Sequence, residues 1–234
     1  MQILKSVIDW IFPDKCMVCG KDTEIGSLFC SECFGNIVFV DFPYCRICGK
    51  LLDTSYNNEL TCKMCQNTER FFEAGRSLFL YNNSAKSIIM RIKKEADEHV
   101  SRKCSQLLYN RYENFIEKAD LIVPVPSHFS RILRRGFNPS MLISKYIAKI
   151  SEIPMDAKII KRIKRTEYQK NKTLQERQEN VKDAFVVNKN VKNKRILLVD
   201  DVMTTGSTIS ECSKILREHG AKSVKFVTIG STMG

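Results

Sequence analysis

Two adjacent carboxylates, Asp200 and Asp201, are followed by Thr204, Thr205, Gly206, Ser207 and Thr208, a loop of small hydroxyl side chains around one glycine. Free backbone N–H groups at the opening of a helix, together with those hydroxyls, make a cradle for a phosphate dianion. Gly206 lets the backbone approach the phosphate with no Cβ in the way. The two acids repel a phosphate. They suit a neighbouring pair of hydroxyls instead, directly or through Mg²⁺, which takes oxygen ligands. A phosphate held at one end and a vicinal diol at the other describe a ribose 5-phosphate.

That chemistry needs the acids at a strand end and the hydroxyls at a helix start. Residues 195–199 supply a short, β-branched apolar run that reads as a buried parallel strand. Its carboxyl end is where open α/β sheets bind ligands. Ile209, Cys212, Ile215 and Leu216 then share one helix face, and Gly220 stops that helix as its C′ residue. The run resembles the phosphoribosyl-pyrophosphate (PRPP) motif of type I phosphoribosyltransferases. The resemblance implies that Asp200, Asp201, Thr204, Thr205, Gly206, Ser207 and Thr208 bind PRPP together with Mg²⁺.

A second group of chemical side chains follows a strand read over 121–125. Ser127, His128, Arg131, Arg134, Arg135 and Gly136 bring three guanidinium groups to a second strand end. Arginine suits bidentate phosphate contacts, so Arg134 and Arg135 are placed on the pyrophosphate half of PRPP. His128 alone is weak evidence for a direct role.

Eight of the ten cysteines fall into four C-x-x-C pairs: Cys16/Cys19, Cys30/Cys33, Cys45/Cys48 and Cys62/Cys65. At ribbon spacing these read as two tetrahedral four-cysteine zinc sites. A disulfide framework is the rival, disfavoured because a PRPP-using protein without a secretory signal belongs in a reducing compartment. Sequential pairing is the simplest assignment, giving Cys16, Cys19, Cys30 and Cys33 one ion and Cys45, Cys48, Cys62 and Cys65 the other; spacing alone does not exclude a crossed one. Closed sites of this kind are structural. Cys104 and Cys212 fall at helical positions as packing residues.

The remaining chain supplies the scaffold. Strands are expected over 74–81, 159–160, 184–187 and 224–229, and a linker over 66–70. Asn83 or Ser84 caps a helix carrying Ile88, Ile89 and Ile92, which ends in Arg91, Lys93 and Lys94. A further helix runs over about 98–119. Asn138-Pro139 opens another, and Thr173-Leu174-Gln175-Glu176 has capping-box form. Strands alternating with helices give a parallel sheet. The expected class is α/β: a parallel sheet flanked by helices (domain 71–234), preceded by an N-terminal helix and double zinc ribbon (domain 1–70).

Composition fits a soluble globular protein, with 43% hydrophobic and 27% charged residues. No run is long and apolar enough for a membrane span. Leu4, Val7, Ile8 and Ile11 give the opening a packed amphipathic helix. The formal charge of +12 is uneven: residues 1–70 carry 7 Lys/Arg against 9 Asp/Glu, and the rest carry 31 against 17. The densest run is 158–172, seven cations with only Glu167 opposing. It suits pyrophosphate or a nucleic-acid backbone.

Taken together, the order of parts resembles the ComF family of competence-associated, phosphoribosyltransferase-like proteins, which includes GntX-type proteins. The four C-x-x-C pairs, the basic turn at 91–94, Pro124-Val125-Pro126, Arg135-Gly136-Phe137-Asn138 and the 200–208 motif carry the resemblance. So does the spaced set Lys164, Thr166, Gln169, Leu174, Arg177 and Asn180. One departure is Ile92-Lys93-Lys94-Glu95, where the family usually has Lys-Tyr followed by glycine. The resemblance implies a type I phosphoribosyltransferase-like fold and a role in handling single-stranded DNA during natural transformation. It also implies a bacterial cytoplasm, and partners among helicases or other competence proteins. If the protein is an enzyme, Asp200 and Asp201 hold the ribose hydroxyls while pyrophosphate leaves the anomeric carbon. Arg135 and Lys164, with the loop from 164 to 177, then stabilise the leaving group. Too little chain follows the last strand to form a base-binding hood, which favours a binder.

Overall fold

The computed structural model describes residues 14–53, 60–164 and 183–234. The opening helix expected over 1–13, the capping box at 173–176 and most of the cationic loop lie outside the described residues. Two short cysteine-bearing helices come first, α1 (Ser31–Phe34) and α2 (Lys63–Asn67). The chain then runs β1 (Ala74–Leu80), α3 (Asn83–Glu95), α4 (Glu98–Ile116), β2 (Leu121–Pro124), α5 (Phe129–Arg135) and α6 (Pro139–Ser151). It finishes with β3 (Ile160–Arg162), β4 (Phe185–Val187), β5 (Arg195–Met203), α7 (Ser207–Glu218) and β6 (Ser223–Ser231).

Four strands form one parallel sheet in the order β1-β6-β5-β2. β5 is apolar at four consecutive positions because both of its faces are covered. Ile196 and Leu198 pack with Phe226 against Ile209, Cys212 and Leu216 of α7. Leu197 and Val199 pack on the other side against Ile92 of α3, Leu108 of α4 and Ile147 of α6. Cys104 and Cys212 are both fully buried, as packing residues should be.

Side-chain caps fix the helix starts. Asn82, one residue before the expected cap, accepts from Ala85 N–H at 2.9 Å, and Asn138 accepts from Ser140 N–H at 3.2 Å. The strands expected near 160 and 185 exist but do not join the sheet: β3 and β4 pair antiparallel with each other. Three residues apiece, they return on one another around the cationic segment instead of crossing over it.

The cysteine-rich region closes the free edge of β1. Val40 N–H donates to Leu78 O at 3.0 Å, Leu80 N–H to Val38 O at 2.8 Å, and Gly75 N–H to Ile47 O at 2.8 Å. An uncovered edge invites pairing with another chain, so this cover protects the sheet. The crossing is tight: a Cβ on Gly49 lies 2.2 Å from Gly75 O, and Gly49 has φ +70°. Met17 reaches the core under α3 and α4, and Leu52, Cys62 and Phe72 reach the core under α7.

Arg91 ties the first cysteine knuckle to the helices. Its guanidinium donates to Cys16 O at 2.8 Å and to Asp97 Oδ2 at 3.0 and 2.7 Å. Asp97 in turn caps α4 by accepting from Val100 N–H. The Arg91–Asp97 pair is mostly shielded from water, so removing one partner strands the other's charge. Arg91→Ala is therefore expected to cost about 3 kcal/mol in urea unfolding. It should also speed zinc release from the first knuckle. Unchanged stability would contradict this role.

Candidate functional site

Alternation along β5 sends the two acids to opposite sides of the strand. Asp201 meets Lys93 at the end of α3, Nζ to Oδ1 2.8 Å. Asp200 accepts from Ser140 Oγ at the start of α6, at 2.8 Å, and from Asp201 N–H at 2.9 Å. Burial, then the neighbouring Asp201 charge, raise the Asp200 carboxyl to about 7, against the opposing bonds from Ser140 and Asp201 N–H. The acids are thus unequal: Asp201 is ion-paired with Lys93, while Asp200 is held by Ser140 with its carboxyl raised to about 7. β5 keeps its pairing with β6 as far as Met203 opposite Ser231, so a strand, not a loop, holds both.

The loop that follows turns at Gly206 and is fixed by its own hydroxyl contacts. Gly206 adopts φ +75°, a conformation that disfavours any Cβ, and stands as the N-cap of α7. It has no side chain to cap the helix, which leaves first-turn N–H groups directed at the loop. Thr205 Oγ1 lies 2.9 Å from Ser207 Oγ and receives Ser207 N–H at 3.4 Å. Thr232 donates to Met203 O through its amide and to Thr204 O through its hydroxyl, tying the loop to the chain after β6. Thr204, Thr205, Gly206, Ser207 and Thr208 therefore form one continuous rim beside Asp200 and Asp201.

The cationic residues divide. Arg131, Arg134 and Arg135 lie on α5, whose first turn is capped by His128: its Nδ1 accepts from Ser130 N–H at 3.1 Å. That cap accounts for the histidine, and Gly136 ends the helix at φ +82°. Arg134 is exposed and Arg135 partly buried. Lys164 is exposed and faces Asp183 at 3.9 Å. Arg162, two residues earlier, is the buried cation: it stacks over Phe185 at 5.3 Å and senses both Arg131 and Asp200. Lys93, Ser140 and Arg162 were absent from the sequence-derived site. The inward-outward alternation of β3 was the available signal for Arg162, since Ile160 and Arg162 share a face and Lys161 takes the other.

The cysteines assemble by sequential pairing. Cys16, Cys19, Cys30 and Cys33 form one cluster and Cys45, Cys48, Cys62 and Cys65 the other, ligand atoms within 4.8 Å of one another in each. Cys48 N–H and Cys62 N–H both point at Cys45 Sγ, at 3.5 and 3.4 Å, as amides do toward a thiolate. Four sulfurs so placed are a zinc donor set, and the sites are closed and structural.

A parallel sheet with helices on both faces, two acids at a central strand end and a hydroxyl-glycine loop opening the next helix define a phosphoribosyltransferase fold. The phosphoribosyl transferase domain family matches residues 95–232, and the double zinc ribbon domain family matches residues 7–66. Competence protein F of Haemophilus influenzae is 31% identical over 223 residues, covering 92% of this chain and 95% of the relative. The chain belongs to the ComF family of zinc-ribbon, phosphoribosyltransferase-like proteins. The DNA utilization protein YhgH of Escherichia coli is 26% identical, covering 94% and 98% of the two chains. Competence protein ComFC of Streptococcus pneumoniae is 27% identical, covering 92% and 99%. Among solved structures, adenine phosphoribosyltransferase from Leishmania tarentolae aligns with a TM-score of 0.37 and 16% identity, over 67% of this chain and 78% of that one. Among the described residues no helix is long and apolar enough to cross a membrane.

Proposed function

We propose that this protein binds PRPP with Mg²⁺ and, in the cytoplasm, assists the handling of single-stranded DNA during natural transformation. The observation that carries the first half is the left-handed Gly206 opening α7 beside Asp200 and Asp201. Thr204, Thr205, Gly206, Ser207 and Thr208 take the 5-phosphate, and Asp200 and Asp201 take the ribose hydroxyls directly or through Mg²⁺. Arg134, Arg135 and Lys164 take the pyrophosphate. The names of the relatives, two competence proteins and a DNA utilization protein, support the second half. The basic charge of residues 71–234 gives single-stranded DNA a surface; residues 1–70, net acidic, form the zinc ribbon that braces it. Helicases and other competence proteins are the partners that this reading suggests.

Transfer of ribose 5-phosphate to a small acceptor is the rival use of the same site. Burial and the Asp201 charge hold Asp200 near 7, but its place beside the ribose leaves it no acceptor to deprotonate. Binding is therefore the favoured reading.

The test is a pair of titrations on the zinc-loaded protein. Millimolar PRPP with Mg²⁺ is expected to raise the thermal midpoint, since a ligand at 100 times its Kd stabilises by about 2.7 kcal/mol. Affinity for single-stranded DNA should fall steeply with salt, and neutralising the exposed Lys158, Lys161 and Lys164 together should flatten that slope by about 2 units. No thermal shift removes the PRPP reading; salt-independent binding removes the DNA reading. Release of pyrophosphate in the presence of pooled bases would favour the enzyme.

A further inference from the structure

The zinc ribbon reaches the phosphate loop through one side chain. Arg70 follows Cys65, the last of the eight paired cysteines, by five residues, in a stretch whose sequence reads only as a linker. Its Nη1 lies 3.5 Å from the position a Cβ would take on Gly206, the residue on which the phosphate cradle turns. Two contacts hold the arginine there. Its Cζ sits 5.9 Å over the ring of Phe72, which is itself wedged edge-on against Phe226 in the core at 4.8 Å. The next residue, Phe71, donates its N–H to Ser210 Oγ in the first turns of α7, at 3.4 Å.

Arg70 is placed but not satisfied. Its Nε is buried and has no hydrogen-bond partner among the described residues, and no carboxylate forms an ion pair with it there. The nearby charge that the structure does record is another cation, Lys50, which donates to Met233 O at 3.1 Å. Lys50 answers to the Cys48, Cys62 and Cys65 sulfurs, which leaves the half-buried guanidinium beside Gly206 and the start of α7 with no recorded anion of its own among the described residues. Arginine's fork of donors matches phosphate oxygens.

We propose that Arg70 is a phosphate ligand contributed by the zinc ribbon: it binds the 5-phosphate of the sugar ligand from the Gly206 side of the loop. The inference rests on the PRPP reading above and adds a residue to it. It also gives the ribbon a function in ligand binding. The second cysteine cluster sets the position of residues 66–70, and so sets where the guanidinium stands.

Calorimetry on the full-length, zinc-loaded protein tests this with two probes, ribose 5-phosphate and inorganic pyrophosphate. Arg70→Gln is expected to weaken ribose 5-phosphate binding by about tenfold or more, the size of a charge-assisted contact. Pyrophosphate affinity should stay within about twofold, because its cations lie on another element. Arg70→Lys keeps the charge and loses the fork, and should fall between the two. It also serves as the second variant if Arg70→Gln fails to hold its zinc. Equal ribose 5-phosphate affinity in the unaltered protein and in a zinc-retaining Arg70 variant overturns the inference and leaves the PRPP reading standing. Loss of zinc with no loss of sugar-phosphate affinity also overturns it, assigning Arg70 to the charge balance of the thiolate cluster. Failure of the unaltered protein to bind ribose 5-phosphate or PRPP overturns both.

Discussion

Stripping both zinc ions is expected to unfold the protein, and the two sites should empty in a fixed order. A structural zinc contributes about 10–16 kcal/mol, as much as the whole stability of a typical domain. The ribbon has few apolar side chains of its own to replace that contribution. Its loss also removes the cover on β1, since Val38, Val40 and Ile47 supply the hydrogen bonds along that edge. The first site is the weaker: Cys19 is exposed and Cys30 and Cys33 partly so, whereas Cys45, Cys48 and Cys62 are at most 3% exposed. A chelator followed by a zinc-sensitive dye should therefore show one equivalent released quickly and a second released only with unfolding. Cys19→Ser should lower zinc content to one per chain in a folded protein, and Cys48→Ser should yield aggregated material. Two equivalents leaving together from a protein that stays folded would contradict this order.

The parts legible in the sequence are those encoded by local rules. A four-residue apolar run, paired acids and a hydroxyl-glycine loop specify strand, turn and helix within one stretch of chain, and β5 and α7 follow. The cysteine pairs specify two clusters because the chelate geometry is local too. Their sequential pairing had to come from the fold, because spacing alone permits crossing. What the sequence did not show is long-range. Lys93 stands over a hundred residues from Asp201, and nothing in the basic turn says which of its cations finds the carboxylate. Arg91, in the same turn, goes instead to Cys16 O and Asp97, so neighbouring cations have unrelated tasks. Arg162 was hidden by a run of cations in which composition is uniform, and only the alternation of β3 singles it out. β3 and β4 were read as strands from their β-branched residues, yet such propensity does not say which sheet a strand joins.

Neutralising Asp200 should stabilise the ligand-free protein by an amount that grows as pH rises from about 4 to about 7. Burial raises this carboxyl first, and the Asp201 charge adds to it, from 3.8 to about 7. Between those values the folded chain keeps a proton that the unfolded chain has released, so stability falls as pH rises through that window. Above it the full cost is present, on the order of 4 kcal/mol at 1.4 per unit. Asn at 200 retains an oxygen to accept from Ser140 Oγ and Asp201 N–H, so the two bonds survive while the charge does not. Urea unfolding of Asp200→Asn is expected to match the unaltered protein at pH 4 and to exceed it clearly at pH 8. An equal gain at both pH values would mean that packing, not charge, sets the difference. Mg²⁺ with PRPP should reverse the ranking at pH 8, because a cation and two hydroxyls at this strand end favour the ionised carboxylate that the empty site strains to hold. That reversal would mark the carboxylate as one kept at a cost that a ligand removes, a residue retained for binding and not for folding.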